Sequence, residues 1–395
     1  MKAQITPRRA RGFSLIELMV SVVVGLLALM FATRLIVGAE QNKSASIGGS
    51  DAMQNGMLAL FSIDNDIAQA GYGMNDPIVA GCNTVFSDTD GYVLPSAARG
   101  AATVRPMTGA LIESNGANPD RIHLFSGSSL SGTGTLRVSA NYSSGTVINV
   151  DRVPYGFNQG DVILVAPETP GPNCAIAQIS NNPATLLPPP TQQQVLIAAG
   201  ASSRFNSGNL GATFSAGQAR MFDLGPAASL AFHSWSVTDG FLQLRSTNLA
   251  GSAAAPATVI DNVVSIKAEY GFDTRPGLTF APENGMQISR WSGAMVDADG
   301  DGVSGSAGDY QRIAALRVAV VARSKAVEKP DAGGNCSATT VLPAVFATSE
   351  PLGVLAVPVS VNVSVAGDPV DWKCYRYRVF ETIVPLRNSG WRPSA

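Results

Sequence analysis

The feature that most constrains this chain is an apolar run close to its start. Between Leu18 and Thr33 there is no charge and no proline, and Gly25 is the only weak helix former. Extended back to Phe13 and on to Val37, the run reaches about 25 residues, enough for an α-helix to cross a bilayer. Lys2, Arg8, Arg9 and Arg11 lie on its N-terminal flank. That asymmetry predicts a cytoplasmic N-terminus and sends the rest of the chain outward. A cleaved secretory signal fits poorly, because the run exceeds the usual core of about 7–15 residues and no small-x-small site follows it. Arg34, near the far end, is placed to snorkel to the outer interface.

One acid interrupts the pattern. A carboxylate in lipid costs roughly 2.5–3.5 kcal/mol at the centre of a helix, and less near its end, so Glu17 needs a cation beside it. A cut between Gly12 and Phe13 creates one. The new α-amino group lies one helical turn from Glu17, within one subunit or facing the acid of a neighbour.

Gly12-Phe13-Ser14-Leu15-Ile16-Glu17-Leu18-Met19-Val20 resembles the class III signal of type IV pilins and type II secretion pseudopilins. The resemblance implies that a prepilin peptidase cuts after Gly12 and that Phe13 is then N-methylated. It also implies that Glu17 governs packing into a filament. Residues 1–12 become the leader, 13–37 the membrane and assembly half of a helix, 38–70 its amphipathic second half, and 71–395 a periplasmic head.

The chain as a whole is of exported type: charged residues make up 14%, the formal net charge is −2, and 40 Gly and 24 Pro punctuate it. Such a balance supplies no basic surface for nucleic acid. Many short strands joined by turns are expected, giving an α+β chain with a long helix and a β-rich head. Cys82, Cys174, Cys336 and Cys374 form no CxxC pair, so disulfides are expected in an oxidising compartment. The expected pairing is Cys82 with Cys174 and Cys336 with Cys374, each joining sequence neighbours that flank a loop-rich insert.

The helix is expected to run to about Ala70, spanning roughly 87 Å, with Met53, Met57, Leu60, Phe61, Asp64 and Ile67 as the stripe facing the head. Gly48-Gly49 suggests a bend or melting, and Gly71-Tyr72-Gly73 a stop. Residues 76–119 read as irregular. Strands are expected at 121–125, 147–150, 161–166 and 174–179, then a low-complexity loop at 188–194. A hairpin follows at 229–244 around Thr238-Asp239-Gly240, then one strand or two at 259–272. Beyond them come an apolar run at 313–322, whose valines favour a strand over a buried helix, and a closing strand at 372–386.

Four of these segments, Gly160–Val165, Val263–Phe272, Arg312–Ser324 and Tyr375–Thr382, are similar to those of PilW-type minor pilins. That likeness implies a subunit that joins other minor pilins and the major pilin to start or cap a pilus, stored in the inner membrane before assembly at the cell surface. Two other functions stay open. One is a type II secretion pseudopilin; the other is a binding module using residues 76–119 as an adhesive insert.

Asp297-Ala298-Asp299-Gly300-Asp301-Gly302-Val303 matches the first half of an EF-hand-type calcium loop, with acids at positions 1, 3 and 5 and glycine at 6. Three neighbouring carboxylates repel one another unless a divalent cation or open water intervenes. The Val303 carbonyl adds a candidate ligand. Position 12 is Gly308, and the nearest acid is Asp309, one residue late. Calcium and a solvated acidic turn both remain open. For catalysis there is little to cite. His123 and His233 fall in expected strands, and no GxSxG, HExxH or phosphate loop is present. No enzyme is expected. Trp372, Tyr375, Tyr377 and Phe380 read as a strand packed on the core.

Overall fold

The computed structural model describes residues 14–128, 135–169, 172–180, 192–331 and 333–388, and only the backbone of 40–48. The expected leader, the Gly12–Phe13 junction and the loop at 188–191 lie outside the described residues.

Helix α1 (Leu15–Gln69) runs 55 residues, about 82 Å, unbroken through Gly48-Gly49, so no local melting occurs there. The stripe facing the head differs from the one expected. Ala52, Gly56, Ala59, Ile63, Ile67 and Ala70 are buried, while Met53, Met57 and Phe61 are 51%, 57% and 63% exposed. The reason is closeness of approach. At Gly56 the ring of Phe380 occupies the place a Cβ would take, so small residues seat the helix and larger ones are left on its flanks. Size matched to a partner surface, rather than apolarity alone, sets the phase.

The first strands are β1 (Asn83–Val85), β2 (Ala97–Arg99), β3 (Ala102–Val104), β4 (Ala110–Glu113), β5 (Arg121–Ser126), β6 (Thr135–Arg137) and β7 (Val147–Asn149). Next come β8 (Asp161–Pro167), β9 (Asn173–Gln178), β10 (Gln194–Leu196), β11 (Ala219–Pro226), β12 (Ala231–Thr238), β13 (Phe241–Ser246) and β14 (Ala257–Asp261). The last are β15 (Val263–Phe272), β16 (Arg290–Ser292), β17 (Ile313–Arg323), β18 (Ala344–Val345), β19 (Val359–Ser360) and β20 (Tyr377–Pro385). A short helix, α2 (Ala307–Tyr310), precedes β17.

Three sheets carry the head, ordered β1-β9-β8-β11-β6, β14-β13-β12-β5-β4 and β16-β15-β17-β20. Only the β1–β9 pairing is parallel among them. The β12–β13 hairpin turns on Asp239 and Gly240, both at positive φ, as a two-residue turn of primed type requires. The 259–272 stretch is two strands, broken at Asn262, which takes φ 56°.

Residues 76–119 are not an irregular surface insert. They supply β1 to β4, and Cys82, Tyr92, Leu94, Met107 and Leu111 enter the main core with Ile63 and Ile67 of α1. Short strands of three or four residues carry too little alternation to be read from sequence. Disulfides join Cys82 to Cys174 and Cys336 to Cys374, the expected pairing. The first ties β1 to its parallel neighbour β9, where Thr84 and Cys174 are register partners.

The third sheet carries α1 on one face and a long insert on the other. α1 lies along it parallel to β20: Gly56 faces Phe380, and Asn388, just past the strand, donates to the carbonyls of Ala68, Gln69 and Ala70. Residues 324–376, between β17 and β20, climb over the opposite face of the sheet, and Val345, Phe346, Val361 and Val363 pack there on Val264, Ala319 and Val321.

Candidate functional site

Among the described residues, nothing in the head covers the N-terminal half of α1. Every residue from Ser14 to Val37 is exposed, and Leu15–Ala39 has a mean hydropathy of 2.5. An exposed apolar cylinder of that length is stable only in lipid or against other helices. Glu17 stands in the first turn of this helix, two residues after its start, where the positive end of the helix dipole favours a carboxylate. Its backbone N–H bonds back to the carbonyl of Ser14 at 3.0 Å.

The C-terminal half is fastened to the head by polar contacts that the sequence did not signal. Asp66 accepts from the His233 Nδ1 side at 2.7 Å and from Trp235 Nε1 at 2.7 Å. His233 Nε2 meets Asn248 Oδ1 at 2.8 Å. Burial lowers the His233 pKa and the Asp66 carboxylate raises it, with the net shift upward. On the same flank Asn55 donates to Asp261 at 2.9 Å. His123, on β5, reaches Ser234 Oγ with Nδ1 at 2.7 Å and Glu113 with Nε2 at 3.4 Å. Tyr92 closes over that serine at 2.9 Å. The serine is buried, so these groups serve packing between β4, β5 and β12. The histidine contact, more than any other, holds the Glu113 carboxyl below its ordinary range.

The acidic loop folds around α2. Oxygens of Asp297, Asp299 and Asp309 lie within 4.8 Å of one another. Asp309, fully buried, takes N–H donors from Ala298 (2.5 Å), Asp299 (3.2 Å), Gly305 (2.8 Å) and Ser306 (3.0 Å). It forms a capping box with Ser306. Burial pushes its carboxyl up, and those backbone donors counter it. Asp297 accepts from Gly300 and Gly302. Asp301 and Val303 stand outside the cluster: Asp301 accepts from the Val303 amide at 2.7 Å, and the Val303 carbonyl accepts from Ser306 at 3.2 Å. The three clustered acids are hard oxygen donors of the kind calcium takes, and backbone amides hold them together.

Trp372 begins a short 3-10 turn rather than a strand, Tyr375 is buried and Phe380 packs on α1.

Two family models match the chain. Residues 7–33 match the prokaryotic N-terminal methylation motif, and residues 235–388 match type IV pilus-assembly protein W. The second match runs from β12 to just past β20 and takes in the whole third sheet with its insert. Gly160–Val165, one of the segments counted from sequence, lies outside it. Together the matches are consistent with a PilW-family pilin and support a role in pilus assembly, in a family whose members are structural rather than enzymatic. No curated protein and no solved structure matches the chain.

Proposed function

We propose that this PilW-family chain is a minor pilin that helps initiate or cap a type IV pilus, working with the major pilin and other minor pilins. The observation that carries the reading is the wholly exposed apolar half of α1, which opens with the methylation motif and continues into a head bearing the matched sheet. The action is physical. Prepilin peptidase removes residues 1–12; the helix waits in the inner membrane with its head in the periplasm; assembly then transfers its apolar surface from lipid into a helix bundle. There the methylated Phe13 amine and Glu17 neutralise one another, since an unpaired charge in a dry bundle is strongly unfavourable. Mass spectrometry of sheared pili tests this: a peptide beginning at N-methylated Phe13 supports it, and a mature chain that keeps residues 1–12 refutes it. Glu17→Lys is expected to abolish incorporation while leaving the cut intact. The pseudopilin alternative shares the motif, and the match to pilus-assembly protein W favours the pilus. The adhesin alternative is disfavoured by the share of residues 76–119, Cys82, Tyr92, Leu94, Met107 and Leu111 among them, that is drawn into the core.

Calcium at Asp297, Asp299 and Asp309 belongs to the same proposal, as a brace for the loop before β17. Calorimetry showing heat of binding that Asp299→Ala removes supports it; no binding at millimolar calcium refutes it.

A further inference from the structure

The third sheet ends in a strand with one open side. β20 pairs with β17 over nine register positions without a bulge. Leu386 donates to Ala314, and Ser324 to Arg376, so the even-numbered residues turn their backbone groups toward β17. The N–H and C=O groups of Tyr377, Val379, Glu381 and Ile383 therefore point outward. Among the described residues none of them has a hydrogen-bond partner. A long regular edge is a template for another strand, and natural edges are usually short, bulged or covered. The other edges of the main sheets, β14, β16, β4, β1 and β6, have five residues or fewer.

The helix beside this edge is also open. At about 100° per residue, Met53, Met57, Leu60 and Asp64 lie to one side of Gly56, while Asn55 and Asp66 lie to the other. Asn55 and Asp66 bond to the second sheet, so the methionine flank overhangs the free edge of β20. A strand added there would offer alternate side chains to Met53, Met57 and Leu60, and its backbone to β20.

We propose that this groove binds an extended segment of a different pilus subunit, running antiparallel to β20 and so back toward the membrane; the inference rests on the pilus reading above. Antiparallel pairing with the β20 of a second copy would point the two α1 helices in opposite directions, which a common membrane forbids. Charge adds a constraint. Arg378 is exposed near the membrane-side end of the edge and has no acidic partner among the described residues, while Arg376 pairs with Glu328 at 3.6 Å. The segment is expected to alternate apolar residues toward α1 and to bring an acid to Arg378.

Val379→Pro tests this in the full chain, because it deletes an outward N–H and leaves the bonds to β17 in place. Cleavage after Gly12 and both disulfides should persist, while incorporation into sheared pili falls by about tenfold or more if strand addition seats the subunit. A photo-reactive phenylalanine analogue at position 379 gives a second measurement that needs no stable variant fold. Cross-linking to an alternating segment of another pilus subunit supports the proposal. Wild-type incorporation of V379P, a cross-link to a second copy, or a cross-link to lipid alone overturns it. An unmethylated chain absent from pili defeats the pilus reading instead, and the cross-link in membranes still reports separately on the edge.

Discussion

The two faces of the third sheet are buried by different means. Against α1 the face is apolar: Ile266, Tyr270, Phe272, Leu316, Val318 and Val320 share one core with Ile63 and Ile67. The opposite face mixes an apolar patch, where the 324–376 insert packs on Val264, Ala319 and Val321, with buried ions. Lys267 pairs with Asp120 and also donates to the carbonyls of Gly116 and Asn118. Arg317, 1% exposed, reaches Glu381 at 3.1 Å and Thr348, and its guanidinium stacks over Phe346. Glu269, 4% exposed, leaves Oε2 without a hydrogen bond among the described residues. A helix seated by small residues needs only shape, and its packing tolerates volume-conserving change. A flap over ions needs every charge to keep its partner, because desolvation is repaid only by good pairing. The helix face is built for adhesion, and the insert face for a single arrangement.

Substitutions that break one face and spare the other sharpen this contrast. Asp120→Ala should have the largest effect, about 3–5 kcal/mol, because it strands Lys267 in the interior. Denaturant unfolding of the full chain in detergent measures it, and a loss below 1 kcal/mol would show the ionic layer to be wet. Gly56→Ala adds a good helix former yet should destabilise by about 1–3 kcal/mol, since its methyl meets the Phe380 ring. An unchanged or higher melting temperature would mean the helix shifts to make room.

Glu269 supplies the pH arm. Burial, the largest cause, raises its carboxyl to about 7. The folded state therefore holds a proton that the unfolded chain releases near its ordinary value. Its contribution is fully present below that value and is lost as pH rises through about 7. Glu269→Gln should flatten stability across this window, with a difference of about 1–3 kcal/mol between its ends. Parallel wild-type and variant curves would assign the slope elsewhere. The smallest effect is expected at the helix clamp. Asp66→Asn should cost about 1–2 kcal/mol below pH 6.5, where charged His233 is stabilised by the acid, and less as pH rises through the elevated His233 pKa. A penalty that grows with pH would contradict the pairing.

The N-terminal segment was legible because it repeats one signal over many residues. Length, one-sided basic charge and a solitary acid all concern the chain and its solvent, so they need no partner surface. The long strands β8, β15, β17 and the β12–β13 hairpin were readable for a similar reason, as each holds a run of apolar or alternating residues beside a turn. β1 to β4 were not, since three or four residues inside a loop-like composition carry no period. The stripe on α1 was misplaced because Met53, Met57 and Phe61 are more apolar than Ala52, Gly56 and Ala59, yet the smaller set faces the sheet.

The sequence by itself determined that a long helix leaves the head exposed at one end, where a basic flank, a bilayer-length apolar run and Glu17 stand in fixed order. It also determined the export-type composition and an even set of cysteines. Tertiary structure alone decided which side of the helix is seated, which acids gather at α2, and which charges lie beneath the insert. Those outcomes depend on distances between residues far apart in the chain. Side-chain size and charge pairing across such contacts have no local signature, so only the packed fold could assign them.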